Sequence, residues 1–196
     1  MRQEELWDEL YSNQPRAWRG NTRVPDPFGG KGDALDVGCG NGKTTLKLID
    51  LGYRTIGVDF SSKAVDSCRE LLGSDASFET ASATELPFDD GSFDYITAVH
   101  VLEHLTDEEL SVAASEFLRV LRPGGCVFTR TFTAGDLRSS KRAEGDIRYI
   151  YRDAEAMKSF FHLFSCESAE LVEETTRFGA VRSRVECLFR KDLEKA

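Results

Sequence analysis

Apolar positions along this chain switch repeatedly between two periods. Residues 3–12 place Leu6, Leu10 and Tyr11 at three- and four-residue spacing, the stripe of an amphipathic helix. Residues 13–32 are rich in proline and glycine and read as an irregular crossing segment. Short apolar runs near 33–37, 54–58, 76–79 and 93–99 then alternate with helical patterns near 43–51 and 62–72. Asp89-Asp90-Gly91 reads as a turn. Over 107–121, Leu110, Ala114, Leu118 and Leu121 fall on one side of a helix, with Thr106 and Glu109 spaced as a capping box. Pro123-Gly124-Gly125 is expected to stop that helix and to open a strand near 126–132. Residues 134–150 show no period. A helix near 153–163 and strands near 166–174 and 183–190 follow. Strand and helix in alternation predict an α/β fold around a parallel sheet.

Composition narrows the class. At 196 residues the chain is long enough for one domain with a proper core. We divide it into an N-terminal helix and arm (1–32), a core (33–130) and a segment with closing strands (131–196). No apolar run approaches the roughly 18 residues that span a bilayer, so no membrane contact is expected. The start is amphipathic but acidic, unlike a secretory signal. Five cysteines, at 39, 68, 126, 166 and 187, form no Cys-x-x-Cys pair and read as reduced thiols of a cytoplasmic protein. The net charge of −9 argues against an extended nucleic-acid footprint.

The chemistry concentrates in Ala34–Lys43, ALDVGCGNGK. An apolar strand runs into Asp36 and then into glycines at 38, 40 and 42. Glycines let a backbone turn tightly and approach a ligand closely. A phosphate loop would need glycine at Val37, and a dinucleotide fingerprint would need it at Lys43. An acid just before the turn repels a pyrophosphate and suits an ammonium, which points to S-adenosylmethionine. A second apolar run ends in Asp59-Phe60, about 20 residues past the turn, where doubly wound folds place an acid on ribose hydroxyls. Phe60 would then lie on the adenine. Asp59 reads alternatively as a helix cap, a role open equally to Ser61 or Ser62.

Four blocks in order, LDVGCGNGK, IGVDFSSKAVDSCRE, ASATELPFDDGSFDYITAVHVLEHLTD and LRPGGCVF, resemble the class I S-adenosylmethionine-dependent methyltransferases of the small-molecule type. The resemblance covers residues 33–130. It implies a Rossmann-like, seven-stranded, mostly parallel sheet with helices on both faces and the last strand pair antiparallel. It also implies that Asp36, Gly38, Cys39 and Gly40 border the methionyl part, with Asn41 beside them in the cofactor set, that Asp59 holds ribose, and that Phe60 meets adenine. The family usually has Asp-Ala before its Leu-Pro-Phe segment. Here Ser82-Ala83 stands there, so the adenine contact would rest on Ser82 and on backbone at Ala83 and Thr84. His100 closes the predicted cofactor set.

His100-Val-Leu-Glu103-His104 has the spacing of an inverted zinc-protease motif. The chain has only three histidines, and His162 lies far away, so no metal is expected. If an ion were held, Glu103 and His104 would hold it, as in a divalent-metal-assisted O-methyltransferase. The ordinary reading packs His104 under the sheet edge and turns Glu103 to solvent. Methyl transfer needs positioning more than protein chemistry. His100, Tyr11 and Tyr149 are candidate bases by position. For the substrate, Trp18 offers an aromatic wall, and Arg142 and Arg148 stand in a locally basic segment. A small-molecule acceptor is expected. The alternative is a non-catalytic, cofactor-binding partner subunit.

Overall fold

The computed structural model describes residues 2–14, 22–139 and 146–193. Seven strands form one sheet: β1 (Asp33–Val37), β2 (Arg54–Asp59), β3 (Ser77–Thr80), β4 (Phe93–Val99), β5 (Leu121–Phe132), β6 (Ser165–Thr175) and β7 (Val181–Arg190). Their order is β3-β2-β1-β4-β5-β7-β6. Only β7 runs against the others. The helices are α1 (Gln3–Asn13), α2 (Lys43–Leu51), α3 (Ser62–Leu72), α4 (Asp107–Val120) and α5 (Ala154–Phe160).

Strand alternation divides the core. Leu35 and Val37 of β1 face the larger cluster, with Ile96 and Val127 of neighbouring strands, Leu110 and Phe117 of α4 and Met157 of α5. Ala34 faces the other side, where Leu48 of α2 packs on Tyr95, Cys126 and Phe128. Beneath α3, Val65 and Cys68 close on Phe78. Both faces are covered, as a parallel sheet requires. All five cysteines are free thiols, and only Cys166 is exposed.

Two expectations change in detail. The strand predicted from 126 begins at Leu121, directly after α4. Phe93 pairs with Leu121 and Tyr95 with Cys126, so Arg122–Gly125 bulge opposite Asp94. The Pro-Gly-Gly sequence is that bulge: Gly124 takes φ 80°, and a Cβ on Gly125 would stand 2.9 Å from the carbonyl oxygen of Asp94. The buried stripe of α4 is also rotated. Leu110, Ala113, Ala114, Phe117 and Val120 are buried, while Leu118 packs only at the edge.

β1 lies between β2 and β4, where the strand order reverses. An open α/β sheet leaves a crevice there, outside the carboxyl ends of its strands. No helix among the described residues is long and apolar enough to cross a membrane.

Candidate active site

β1 ends at Val37, and the chain turns through glycines at φ 68° (Gly38), 54° (Gly40) and 75° (Gly42) before α2 begins. A left-handed backbone favours glycine at all three positions. The turn is anchored from below. Cys39 donates its N–H to the Val58 carbonyl (3.0 Å), and the Cys68 thiol donates to the Gly40 carbonyl (3.2 Å). Asp36 lies beneath the turn rather than in the cavity wall. It accepts hydrogen bonds from the hydroxyls of Thr45 (2.7 Å) and Thr97 (2.9 Å), tying β1 to α2 and β4. Burial pushes its carboxyl up to about 6.

Asp59 ends β2. Its carboxylate accepts the N–H of Gly40 (2.9 Å) and the N–H of Ser61 (3.0 Å). Ser61, not Asp59, caps α3 through the Ala64 N–H. Burial raises Asp59 to about 6 as well. At the end of β3, the Ser82 hydroxyl is hydrogen-bonded to the Thr84 hydroxyl (2.7 Å) and accepts the Thr84 N–H (3.2 Å). These contacts fix the 82–84 turn.

These strand ends open into one cavity of about 720 Å³. Gly38, Cys39, Gly40, Asn41, Asp59 and Phe60 line one side, and Ser82, Ala83, Thr84 and His100 continue the wall. Trp7 and Tyr11 of α1 close part of the opening, and Tyr149 and Arg148 stand across it. Every predicted cofactor residue except Asp36 is therefore in one place, together with all three candidate bases. Trp18 and Arg142 lie outside the described residues.

His100 has a left-handed backbone, φ 60°, uncommon for a residue with a Cβ. Its N–H donates to the Arg130 carbonyl (2.8 Å). Its ring stacks on Phe132 with centroids 3.9 Å apart, and its Nδ1 lies 3.2 Å from Oε1 of Glu103. Glu103 departs from expectation. Residues 102–104 form a single 3-10 turn that carries its side chain inward behind His100, and it is 0 % exposed. Its Oε2 has no hydrogen-bond partner among the described residues, and burial pushes the carboxyl up to about 7.

Glu103 and His104 do not converge. His104 turns its Nδ1 to the Arg148 carbonyl (2.7 Å) and lies against Trp7 and Tyr149. Among the described residues no group of three or more His, Cys, Asp or Glu side chains is placed to hold a metal ion. Arg148 is committed to the fold as well, donating to the His104 carbonyl and to Glu109.

Phe132, Arg182 and Arg184 also line the cavity, and none was singled out from sequence. The available signal was the alternation Arg182-x-Arg184-x-Glu186, which puts three charged residues on one face of a strand.

Residues 35–129 match a protein family described as a methyltransferase domain. The chain carries a methyltransferase domain of that family over those residues. The chain is 36% identical over 107 residues to the 2-methyl-6-phytyl-1,4-hydroquinone methyltransferase of Synechocystis sp., covering 53% of this chain and 33% of that protein. It is 34% identical over 119 residues to the demethylmenaquinone methyltransferase of Clavibacter sepedonicus, covering 59% of this chain and 47% of that protein. It thus spans less than half the length of these curated relatives. Among solved structures, a methyltransferase from Methanosarcina mazei superposes with a TM-score of 0.71 at 23% identity, over 84% of this chain and 94% of that one. That likeness supports the shared fold.

Proposed function

We propose that this protein transfers a methyl group from S-adenosylmethionine to a small-molecule acceptor bound in the same cavity. One observation carries the reading. The glycine turn, Asp59, Phe60, residues 82–84 and His100 line a single cavity of about 720 Å³. Sites for drug-sized ligands run from about 300 to 1,000 Å³, so this one has room for a cofactor and a small acceptor.

The residues fit the cofactor. The turn presents no Cβ at 38, 40 or 42. Asp59 would take the ribose hydroxyls, since a carboxylate has about four acceptor positions and two backbone donors leave some open. Phe60 offers a ring to the adenine. Asp36 acts from below, by holding the turn. When bound, S-adenosylmethionine supplies a methyl group already activated by its sulfonium.

The protein's own share is positioning, exclusion of water and one proton. Placing two reactants at near-attack distance provides much of a rate enhancement of this kind. Trp7, Tyr11 and Tyr149 shield the space from solvent. His100 is the proton acceptor for a hydroxyl or amine. Glu103, once ionised, accepts a hydrogen bond from Nδ1–H and so leaves Nε2 as the basic nitrogen, with Phe132 stacked on the ring. The printed names of the curated relatives concern quinone-type small molecules, which supports a small acceptor.

The test has two stages. Calorimetry should show binding of S-adenosylmethionine and of its demethylated product, and none of NAD or ATP. Incubation with labelled-methyl cofactor and a cell extract should then put label into metabolites. Label confined to RNA or protein, or no transfer at all, would overturn the acceptor class or the activity.

A further inference from the structure

We infer that Arg182 and Arg184 of β7, with Phe132 of β5, form an anion-binding wall in the acceptor half of the cavity, and that the acceptor is a planar molecule bearing a carboxylate or phosphate. This rests on the cofactor occupying the glycine-turn half.

Strand register brings the three residues together. Phe132 pairs directly with Arg184. Arg182 lies two residues along the same face, its guanidinium 5.3 Å from the centre of the Phe132 ring. His100 stacks on the same Phe132 ring, with centroids 3.9 Å apart. Phe132 therefore touches both the proposed proton acceptor and the Arg182 guanidinium. A flat ring suits such a surface.

The two guanidiniums keep donors in reserve. Each has five N–H groups in a planar fork. Arg182 commits its Nε to Asp136 (3.1 Å). Arg184 pairs one terminal nitrogen with Glu174, whose side chain is 65% exposed and screened by solvent. The Nε of Arg184 is buried and has no hydrogen-bond partner among the described residues. That nitrogen is closed off from the cavity, so an acceptor would meet the terminal nitrogens of the same fork. Two other arginines of the cavity differ. Arg130 spends its nitrogens on Glu186, Thr22 and the Arg23 carbonyl, and Arg148 on the His104 carbonyl and Glu109.

Placement assigns the wall to the acceptor. From β1 to β7 is three strand spacings, about 14 Å, so β7 stands well away from the glycine turn. Planar guanidinium forks match carboxylate and phosphate in two-point contact.

The probes are para-hydroxybenzoate, its methyl ester and para-hydroxyphenyl phosphate, titrated by ligand-observed NMR into protein saturated with S-adenosylhomocysteine. At least one of the two anions should bind about tenfold tighter than the ester, the ratio that one well-formed charged contact gives. Which of them gains identifies the anionic group. The preference should disappear in Arg184→Gln and in Arg182→Gln, with the S-adenosylhomocysteine affinity unchanged. Should Arg182→Gln misfold on losing the ion pair with buried Asp136, Arg184→Gln decides alone, because Glu174 is exposed. Ester bound as tightly as both anions, no anion bound, or a preference surviving Arg184→Gln overturns the inference. Loss of S-adenosylhomocysteine binding in the unaltered protein overturns the cofactor reading instead.

Discussion

Asp59 serves two neighbours at once. It holds the glycine turn through the Gly40 N–H and the start of α3 through the Ser61 N–H, and its carboxylate borders the cavity. Asp59→Ala should weaken S-adenosylhomocysteine binding by about 1.5–3 kcal/mol, the range for hydrogen bonds to a charged group. Unchanged affinity in calorimetry would remove Asp59 from the site. Buried carboxyls also set a pH dependence. Asp36 and Asp59 are raised to about 6 and Glu103 to about 7, all chiefly by burial. Each keeps its proton to higher pH in the folded chain than in the unfolded one. Their contribution to stability is therefore full below about pH 4 and is lost as pH rises through 6 to 7. Glu103→Gln removes the largest of these penalties. At pH 8 it should stabilise the protein by roughly 1–3 kcal/mol, and near pH 4 it should change little. Thermal melts at the two pH values check this, and a variant less stable at pH 8 would show that the carboxylate is well satisfied when folded.

At the scale of elements, local chemistry was the most readable. The box at the start of α4 is present as the sequence indicates: Thr106 accepts the Glu109 N–H (3.2 Å), and Glu109 accepts the Thr106 N–H (2.7 Å). Thr106→Ala should cost about 1 kcal/mol of stability in denaturant unfolding. Glu109 also receives Arg148, so Glu109→Ala should cost more than a cap alone, because it also removes an ion pair to the segment that carries Tyr149. Less readable was anything decided by a distant partner. Proline and glycines after α4 look like a break. Yet Leu121 already pairs with Phe93, and only the neighbouring strand makes 121–125 part of the sheet. The face of α4 misjudged by one step reflects the same limit, since several registers of leucine and alanine give a plausible stripe until Phe117 is seen to enter the core.

For the whole molecule, parallel strands explain why so much of the cofactor side was legible. Strands running the same way bring their carboxyl ends to one side, so residues spaced along the chain as Asp59, Ser82 and His100 must meet. The acceptor side obeys no such rule. β7 returns antiparallel beside β5, and nothing near Arg182 or Arg184 in sequence names Phe132 as a neighbour. The Glu103–His104 motif misleads for a related reason: in a 3-10 turn its two side chains diverge. Transfer activity should accordingly survive EDTA. Restoration by magnesium, manganese or zinc of activity lost on chelation would show that an ion is used.

The N-terminal helix docks on the domain through the face that carries Gln3, Trp7, Asp8 and Tyr11. Asp8 accepts the Ser61 hydroxyl (2.5 Å), and Trp7 and Tyr11 lie with Phe60 and Ala64. Those same rings are cavity wall. Undocking α1 and dismantling part of the binding site are thus one event, opposed by any ligand in proportion to RT ln(1 + [L]/Kd). Amide protons of α1 should exchange with deuterium fast in the free protein, through local opening. Saturation with S-adenosylhomocysteine should slow them severalfold or more. Amides of α4, whose stripe is buried in the core, should gain just the global increment. The first helix then serves as a built-in reporter of occupancy, readable by mass spectrometry before any acceptor has been found.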